Sequence, residues 1–308
     1  MHKTREFWGD GLMNPCWQCL FLVVLAGGVS VSAAELPTRL QIESGDSSND
    51  EIFVNSPWTD DVRIVRAQSE DGGGGSDLAA KSQNPVSDLV SLPLQNNFDY
   101  GLNPGNRVRY IGNLQPVVPV KLNDDWNLIN RVIIPFENFP VGEDLREHGI
   151  GDMVGQFFFS PRTESPFIWG VGPSVLFPTA SHPVLGFQEW GAGVTGVALI
   201  SESPIVAGVL VNQLWSGKGT TIPFLAQPFF NYNLPQGWYL LAGGEATADW
   251  EQPEERRWNV VLGPGFGRVF PIFGQPINAN VRFAPYLEKP PGGPDWQFRF
   301  QVNLLFPK

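Results

Sequence analysis

The chain has 308 residues and a formal net charge of −11, with 17% charged and 42% hydrophobic residues. The acidic balance argues against nucleic acid as a partner, and the apolar share is too high for a disordered protein. After residue 34 no run approaches the roughly 18 uninterrupted apolar residues of a membrane helix.

The first 34 residues are typical of a secretory signal peptide. Two basic residues precede the apolar run Cys19–Ala26, and small residues continue to Ala34, where an A-x-A-like sequence fits cleavage. An uncleaved anchor is the alternative. Because Cys16 and Cys19 both fall inside this segment, we expect the mature chain to contain neither a disulfide nor a thiolate nucleophile.

Residues 35–76 are rich in Ser, Asp, Glu and Gly and end in the run Asp71–Ser76 (DGGGGS). This composition predicts a disordered, flexible periplasmic extension and linker. A short apolar patch at Ile52–Val54, with Trp58 nearby, could dock on another surface. We therefore expect the ordered domain to begin at Asp77 and to extend to residue 308.

After Asp88 the sequence predicts twelve extended segments with almost nothing helical between them. The clearest is the last, Asp295–Phe306, in which apolar and polar side chains alternate strictly from Trp296 onward (WQFRFQVNLLF). Its apolar face is bulky and about ten residues long, the length of a tilted strand that crosses a bilayer. The other predicted segments are Leu89–Asp99, Arg107–Val120, Trp126–Phe136, Ile150–Ser160, Phe167–Phe177, Trp190–Ile200, Ile205–Ser216, Thr221–Leu234, Trp238–Asp249, Trp258–Phe270 and Gln275–Glu288.

The connections between these segments alternate between short turns and longer loops. Lys121–Asp125, Pro161–Pro166 and Ser201–Pro204 are short, whereas the intervening Glu137–Gly149 and Pro178–Glu189 are longer. This asymmetry, with an even number of strands, is typical of bacterial outer-membrane barrels. We predict an all-β fold: a closed antiparallel transmembrane β-barrel of about 12 strands in the cell outer membrane.

Tryptophans and prolines give opposing indications. Tryptophans at predicted strand ends fit aromatic girdles at the two membrane interfaces, and a recurring strand–turn–Trp pattern predicts Trp126, Trp238 and Trp296 at one height. Prolines inside central strands argue against a barrel, since each removes a ladder donor, so we expect bulges or shorter strands there. These prolines are Pro116, Pro173, Pro228, Pro264 and Pro285.

The polar faces of the predicted strands are expected to line the barrel interior. An amide-rich wall with both charge signs suits either a wetted channel or a closed polar core. Arg282 and Arg299 are predicted on adjacent strands and would repel each other unless Glu245, Asp249 or Glu288 compensates. The candidate lumen residues are Asn113, Gln115, Asn127, Arg131, Gln227, Asn231, Glu245, Asp249, Asn278, Asn280, Arg282, Gln297, Arg299 and Gln301.

Five blocks of the sequence together resemble one family: Asp77–Pro119, Asp125–Pro135, Phe167–Ala180, Phe229–Leu240 and Gly293–Lys308. They are similar to uncharacterised bacterial outer-membrane proteins, often described as transporters, that are related to the barrels encoded with meta-pathway phenol degradation genes. The resemblance implies a twelve-stranded type of barrel and a hydrophobic or aromatic solute, and it brings no catalytic residues.

Two details qualify this resemblance. Barrel-assembly signals usually end on a terminal aromatic residue, whereas Phe306 is followed here by Pro307 and Lys308. Members of the family also carry the label neuromedin U, which we trace to a short likeness between Phe157–Arg162 (FFFSPR) and the amidated end of that peptide. A hormone precursor needs dibasic processing sites and Arg162 has no basic neighbour, so we interpret the label as an accident.

Signals for enzymatic chemistry are weak. His148 and His182 are the only histidines after the signal segment, and both lie in predicted external loops. The sequence contains no GxSxG or GxxxxGK[ST] motif, so we expect no enzyme, cofactor or metal. The leading hypothesis is a channel or transporter for small solutes that contacts the lipid bilayer and is inserted by the barrel-assembly machinery. The alternatives are a structural or adhesion barrel without transport and a secreted soluble β-sandwich binding module.

Overall fold

The computed structural model describes residues 52–54, 62–64, 74–142 and 145–307. The predicted signal peptide and most of the predicted linker, including Trp58, lie outside the described residues. Strands β1 (Ile52–Val54) and β2 (Val62–Ile64) pair as an antiparallel hairpin. This hairpin belongs to one compact unit and residues 69–308 to another, and the following description concerns the second unit.

Fourteen strands within residues 74–142 and 145–307 pair antiparallel with their neighbours in one sheet. Two short helices, α1 (Gly74–Gln83) and α2 (Glu254–Arg257), and two 3₁₀ turns (Pro183–Leu185 and Pro235–Gly237) complete this part of the chain. The strands are β3 (Val90–Leu102), β4 (Arg107–Leu114), β5 (Val117–Lys121), β6 (Trp126–Pro140), β7 (Arg146–Ile150), β8 (Met153–Pro161), β9 (Phe167–Phe177), β10 (Gly191–Glu202), β11 (Ile205–Ser216), β12 (Pro223–Asn233), β13 (Trp238–Asp249), β14 (Trp258–Ile272), β15 (Gln275–Glu288) and β16 (Trp296–Phe306).

The sheet is a closed barrel with twelve strand positions. β4 and β5 both lie between β3 and β6, and β7 and β8 both pair with β6, so each of these pairs fills one position. The last strand closes the barrel on the first, with Phe306 opposite Val90 and Trp296 opposite Tyr100. The predicted closed antiparallel barrel is therefore confirmed. The β-sandwich alternative is wrong, because a sandwich would leave free strand edges.

The connections differ between the two ends of the barrel. At one end, which we call the turn end, the five connections that follow β5, β8, β10, β12 and β14 have two to five residues. At the other, the loop end, the connection between β9 and β10 reaches 13 residues. The first and last barrel strands both begin or finish at the turn end, the arrangement that outer-membrane barrels place on the periplasmic side.

Tryptophans lie near both ends of the barrel wall. Trp126 begins β6 at the turn end, 6.0 Å from Trp169 between ring centroids, and Trp238 begins β13 at the same end. Trp296 instead stacks on Tyr100 near the loop end, with ring centroids 4.1 Å apart. The prediction that Trp126, Trp238 and Trp296 share one height is therefore wrong, because the β15–β16 connection lies at the opposite end from the β5–β6 and β12–β13 connections.

Four of the five prolines singled out in the sequence coincide with an interruption of one ladder, and Pro116 with an interruption of two. Pro228 is missing from the β12–β13 ladder but stays paired with Val209 of β11 on its other side. A residue in an antiparallel strand directs its N–H to one neighbour only, so a proline disrupts one ladder and spares the other. Pro116 separates β4 from β5, Pro173 falls in a gap of the β8–β9 ladder, and Pro264 and Pro285 fall in one gap beside the β14–β15 bulge.

The outer face of the wall is apolar. Leu240, Phe266 and Phe283 each expose about half of their surface, and an aromatic cluster packs on this face where the Phe283 and Phe298 ring centroids are 4.9 Å apart. Within the described part of the chain, no helix is long and apolar enough to cross a bilayer.

Candidate functional site

One half of the barrel interior is lined by apolar side chains. Phe158 and Ile129 are completely buried, and Leu199, Val206 and Leu210 are almost so. These residues pack together with Val197 and with Val86, a residue that precedes the first barrel strand. We call this group the apolar interior cluster. Its wall side chains come from β6, β8, β10 and β11, and Ile168 of the intervening β9 packs against them. The same strands also carry buried polar residues, among them Gln156, Thr195 and Asn212.

Residues 74–89, which we call the inner segment, fold against the turn end of the barrel. Helix α1 has Asp77 in its first turn and Lys81 in its last, both favourable to the helix dipole. The helix stops before Pro85, because the residue preceding a proline disfavours helical angles. The segment then continues so that Val86 reaches the apolar interior cluster.

Hydrogen bonds and a second apolar group fix the inner segment to the wall. Asn278 Nδ2 donates to Ser82 Oγ at 2.9 Å, and Gln83 Nε2 donates to Asn233 Oδ1 at 2.9 Å. Tyr239 orients Asn278 by donating its hydroxyl to Asn278 Oδ1 at 2.6 Å. Ala79 is fully buried in a second cluster with Leu89, Val269 and Leu305. The inner segment is therefore anchored to several strands and closes part of the interior at the turn end.

The opposite half of the interior carries a hydrogen-bonded charge network around Arg299. Arg299 lies 2.6 Å from Glu245 Oε1 and donates through Nε to Asn97 Oδ1 at 2.6 Å. Gln227 Nε2 also donates to Glu245, at 3.0 Å. Of the three carboxylates that could compensate the paired arginines, Glu245 is the one in place. Asp249 instead accepts the N–H of Ile222 at the loop end.

Arg282 faces Arg299 directly across the β15–β16 ladder. Its guanidinium donates to Gln297 Oε1 at 2.7 Å, and Gln297 donates in turn to Asp99 Oδ1 at 2.9 Å. Asp99 is 1% exposed and also accepts two hydrogen bonds from Arg109, at 2.9 and 2.8 Å. Arg282 therefore reaches a carboxylate only through an intervening amide.

Arg131 projects from β6 into the same region. It donates to Gln115 Oε1 at 2.6 Å and to Gln156 Oε1 at 3.2 Å. Both acceptors are neutral amides, and Gln156 is completely buried. Arg131 thus has a fixed orientation without a carboxylate partner among these contacts.

A cavity of about 230 Å³ lies between the inner segment and this network. We call it the inner cavity. On the turn-end side it is bounded by residues of the inner segment, including Ser82 and Pro85. Seven of the fourteen candidate lumen residues line it: Gln115, Arg131, Gln227, Asn231, Arg282, Arg299 and Gln301.

The other seven candidates have different positions. Glu245 and Gln297 belong to the charge network, and Asn278 holds the inner segment. Asn113 and Asn280 are paired with inward residues of neighbouring strands, Gln95 and Gln301. Asn127 accepts from Arg162 beside the turn end, at 3.2 Å, and Asp249 lies beside the loop end.

The sequence reasoning missed the polar inner face of β3. Gln95, Asn97 and Asp99 are all buried and point inward. Asn96 lies between them on the outer face, where it accepts a hydrogen bond from Tyr110 at 2.8 Å. With polar residues on both faces, the alternation is hidden in the sequence. Knowing that β3 pairs with β16 would have revealed it, because Asp99 lies opposite Gln297.

A second cavity, of about 500 Å³, opens at the loop end. Glu137, Asp152 and Asp249 contribute acidic side chains to its lining. Asp152 also fixes the long β9–β10 loop by accepting the N–H groups of Ala180 at 2.9 Å and Phe187 at 2.6 Å. In the described residues no group of three or more His, Cys, Asp or Glu side chains is arranged to hold a metal ion.

Comparison with known proteins identifies the fold. No family model and no curated protein sequence matches this chain. Among solved structures, an outer membrane channel from Pseudomonas putida F1 superposes with a TM-score of 0.55 at 13% sequence identity, over 71% of this chain and 96% of that chain. The NanC porin gives a TM-score of 0.46 at 8% identity, over 70% of this chain and all of that one.

At these identities the likeness concerns the fold alone. The Pseudomonas putida structure shows that the closed barrel described above is of a kind found in outer-membrane channels. The TM-score of the NanC porin is too low to add to the argument.

Proposed function

We propose that this protein is an outer-membrane β-barrel that acts as a channel or transporter for small solutes. The observation that supports the proposal best is the pair of cavities with charged and amide linings inside a closed barrel whose outer face is apolar. Outer-membrane barrels share this division between lipid-facing apolar and lumen-facing polar residues. A purely structural barrel has no need to enclose charged cavities.

The position in the membrane follows from the same division. The apolar outer face and the aromatic side chains near both ends fit a bilayer with two interfaces. A signal peptide over residues 1–34 would deliver the chain across the inner membrane, and the barrel-assembly machinery would insert it. In this orientation the turn end faces the periplasm and the inner segment closes the lumen from that side.

The family resemblance of the sequence suggests a hydrophobic or aromatic solute. The inner cavity supports a size limit, since about 230 Å³ is below the roughly 300–1,000 Å³ of pockets for drug-sized ligands. A solute that passes this way must also move the inner segment, which bounds the inner cavity.

Conductance across planar lipid bilayers tests the proposal through Val86. The variant Val86→Asp places a carboxylate in the apolar interior cluster, where an unpaired charge is strongly unfavourable. We expect the inner segment to leave the barrel and the single-channel conductance to rise several-fold over that of the unmodified chain. Liposome swelling with small sugars should rise in parallel.

The matched control is Val141→Asp, because Val141 is 43% exposed in a loop-end connection. This variant should conduct like the unmodified protein. Heat-modifiable migration in gels establishes that each variant has formed a barrel. Electrical and solute silence of a folded Val86→Asp protein would contradict transport and favour a structural or adhesion barrel.

A further inference from the structure

The inner cavity has an unusual balance of charge. Its lining contains three arginines, Arg131, Arg282 and Arg299, and no carboxylate among the residues that the structure describes. Three guanidinium groups therefore contribute to one small space. Since Arg cannot be deprotonated in proteins, this positive charge has to be balanced by neighbouring groups or by a ligand.

Neighbouring groups balance only part of the positive charge of these three arginines. Glu245 pairs with Arg299 at 2.6 Å. Arg131 and Arg282 donate to the neutral amides of Gln115, Gln156 and Gln297. Asp99, the next carboxylate, is already paired with Arg109 at 2.8 Å. Two guanidinium groups thus lack a carboxylate within hydrogen-bond distance.

Arg282 also retains unused capacity to donate a hydrogen bond. The residue is 5% exposed, and its Nε has no hydrogen-bond partner in the described structure. A buried charged donor without a partner is energetically unfavourable unless something else supplies the interaction. An anion in the inner cavity would compensate both the charge of Arg282 and its unfilled hydrogen bonds.

Besides its amide and hydroxyl side chains, the inner cavity also has apolar side chains in its wall. Val117, Leu210, Phe229 and Leu241 all contribute to its lining. A fully hydrated inorganic anion gains nothing from such a surface, whereas an organic anion buries its hydrocarbon part there. Guanidinium groups match the planar geometry of a carboxylate.

We propose that the inner cavity binds a small organic monoanion, with a carboxylate on Arg131 and Arg282 and an aromatic or short aliphatic body against Leu210 and Phe229. This inference rests on the proposed function and names its substrate class. It also narrows the solute class that the family resemblance implies, because the solute would carry both an apolar body and an acidic group. The inner segment forms one wall of the site, so displacement of that segment would open the site toward the turn end.

Calorimetric titration of the purified full chain in detergent tests the inference, with benzoate as the probe. Benzyl alcohol has a similar shape without the charge, and sulfate has charge without an apolar body. We expect benzoate to bind and both comparison compounds to bind at least 10-fold more weakly, as removal of a charged hydrogen-bond partner costs on the order of a factor of 10.

Two variants locate the site. Arg282→Gln and Arg131→Gln should each weaken benzoate binding on the order of 10-fold. The matched control is Arg268→Gln, because the Arg268 guanidinium lies outside the barrel, 5.0 Å from the Trp238 ring. This control should bind benzoate like the unmodified chain. Heat-modifiable migration confirms that the variants are folded.

The outcomes separate this inference from the proposed function. The inference would be overturned, even if the protein conducts, by any of three results. These are that benzyl alcohol binds as tightly as benzoate, that sulfate binds as tightly as benzoate, or that folded Arg282→Gln binds benzoate with unchanged affinity. The opposite result is also possible: benzoate binding depends on Arg131 and Arg282, but the Val86→Asp variant is electrically silent. That result would support the binding site and contradict transport.

Discussion

The two halves of the barrel interior are built on different physical principles. The half formed by β6 and β8 to β11 contains the packed apolar interior cluster, in which Phe158 and Ile129 are inaccessible to solvent. The half formed by β15, β16, β3 and β4 is a network of hydrogen bonds in which Arg299, Arg282 and Asp99 are almost as deeply buried. Burial alone therefore does not distinguish a dry sector from a charged one.

The difference shows what each half contributes. The apolar sector gives Val86 a complementary surface and so holds the inner segment. The charged sector keeps guanidinium groups in fixed positions beside an open space. The apolar half should be sensitive to volume, and the charged half to the balance of charge.

The largest effect is expected from Arg299→Met in the charged half. The substitution leaves Glu245 without its arginine partner at 2.6 Å, and breaking a buried ion pair by removing one partner costs about 3–5 kcal/mol. We expect this loss in the free energy of unfolding, measured by urea titration of the barrel in lipid vesicles.

The double variant Arg299→Met with Glu245→Gln is the control for this prediction. It removes both charges, so most of the lost stability should return. If the double variant is as unstable as Arg299→Met, the loss arises from packing of the arginine stem, and the proposed role of charge balance in this half is wrong.

Sequence reasoning recovered the barrel because its outer face obeys a simple rule. In a strand such as Trp296–Phe306, alternate side chains point to the outer face and to the interior. An alternation of apolar and polar residues therefore reveals both the strand and the face on which each residue lies. The predicted bounds of Phe167–Phe177 and Ile205–Ser216 match the structure. Turn lengths add independent information, since antiparallel order places every second connection at the same end.

The interior was harder to predict, because its contacts are between residues distant in sequence. The expectation that a carboxylate compensates the paired arginines holds for Arg299, which Glu245 pairs with, but not for Arg282, which donates to the neutral Gln297. Nothing local in the sequence distinguishes Glu245 from Asp249 as that partner. The inner segment was also missed: its sequence is mostly small and polar, and its helix is stabilised by the wall it contacts. The height of Trp296 was wrong because a repeated motif was given more weight than strand direction.

The second-largest effect is expected on the outer wall of the charged half. Phe300 is 39% exposed on the outer face, so Phe300→Arg should cost about 2–4 kcal/mol near the middle of the bilayer. Its neighbour Gln301 lines the inner cavity, so Gln301→Arg keeps its charge out of the lipid and should destabilise the barrel less than Phe300→Arg while altering ion selectivity. Urea titration in vesicles gives the stability of both. Equal destabilisation would mean that the assigned faces are wrong.

The smallest effect is expected from Ile129→Val in the apolar half. Ile129 is completely buried in the apolar interior cluster, and deletion of one methylene from a packed core costs about 0.5–1.5 kcal/mol. The same substitution at Ile200, which is 51% exposed on the outer face of β10, should cost less, because lipid fills the space that the shorter side chain leaves. Urea titration of both variants in the same vesicles measures the difference. If the two costs are equal, the apolar half is loosely packed, and the inner segment would have to be held by its hydrogen bonds and by the second apolar group around Ala79 instead.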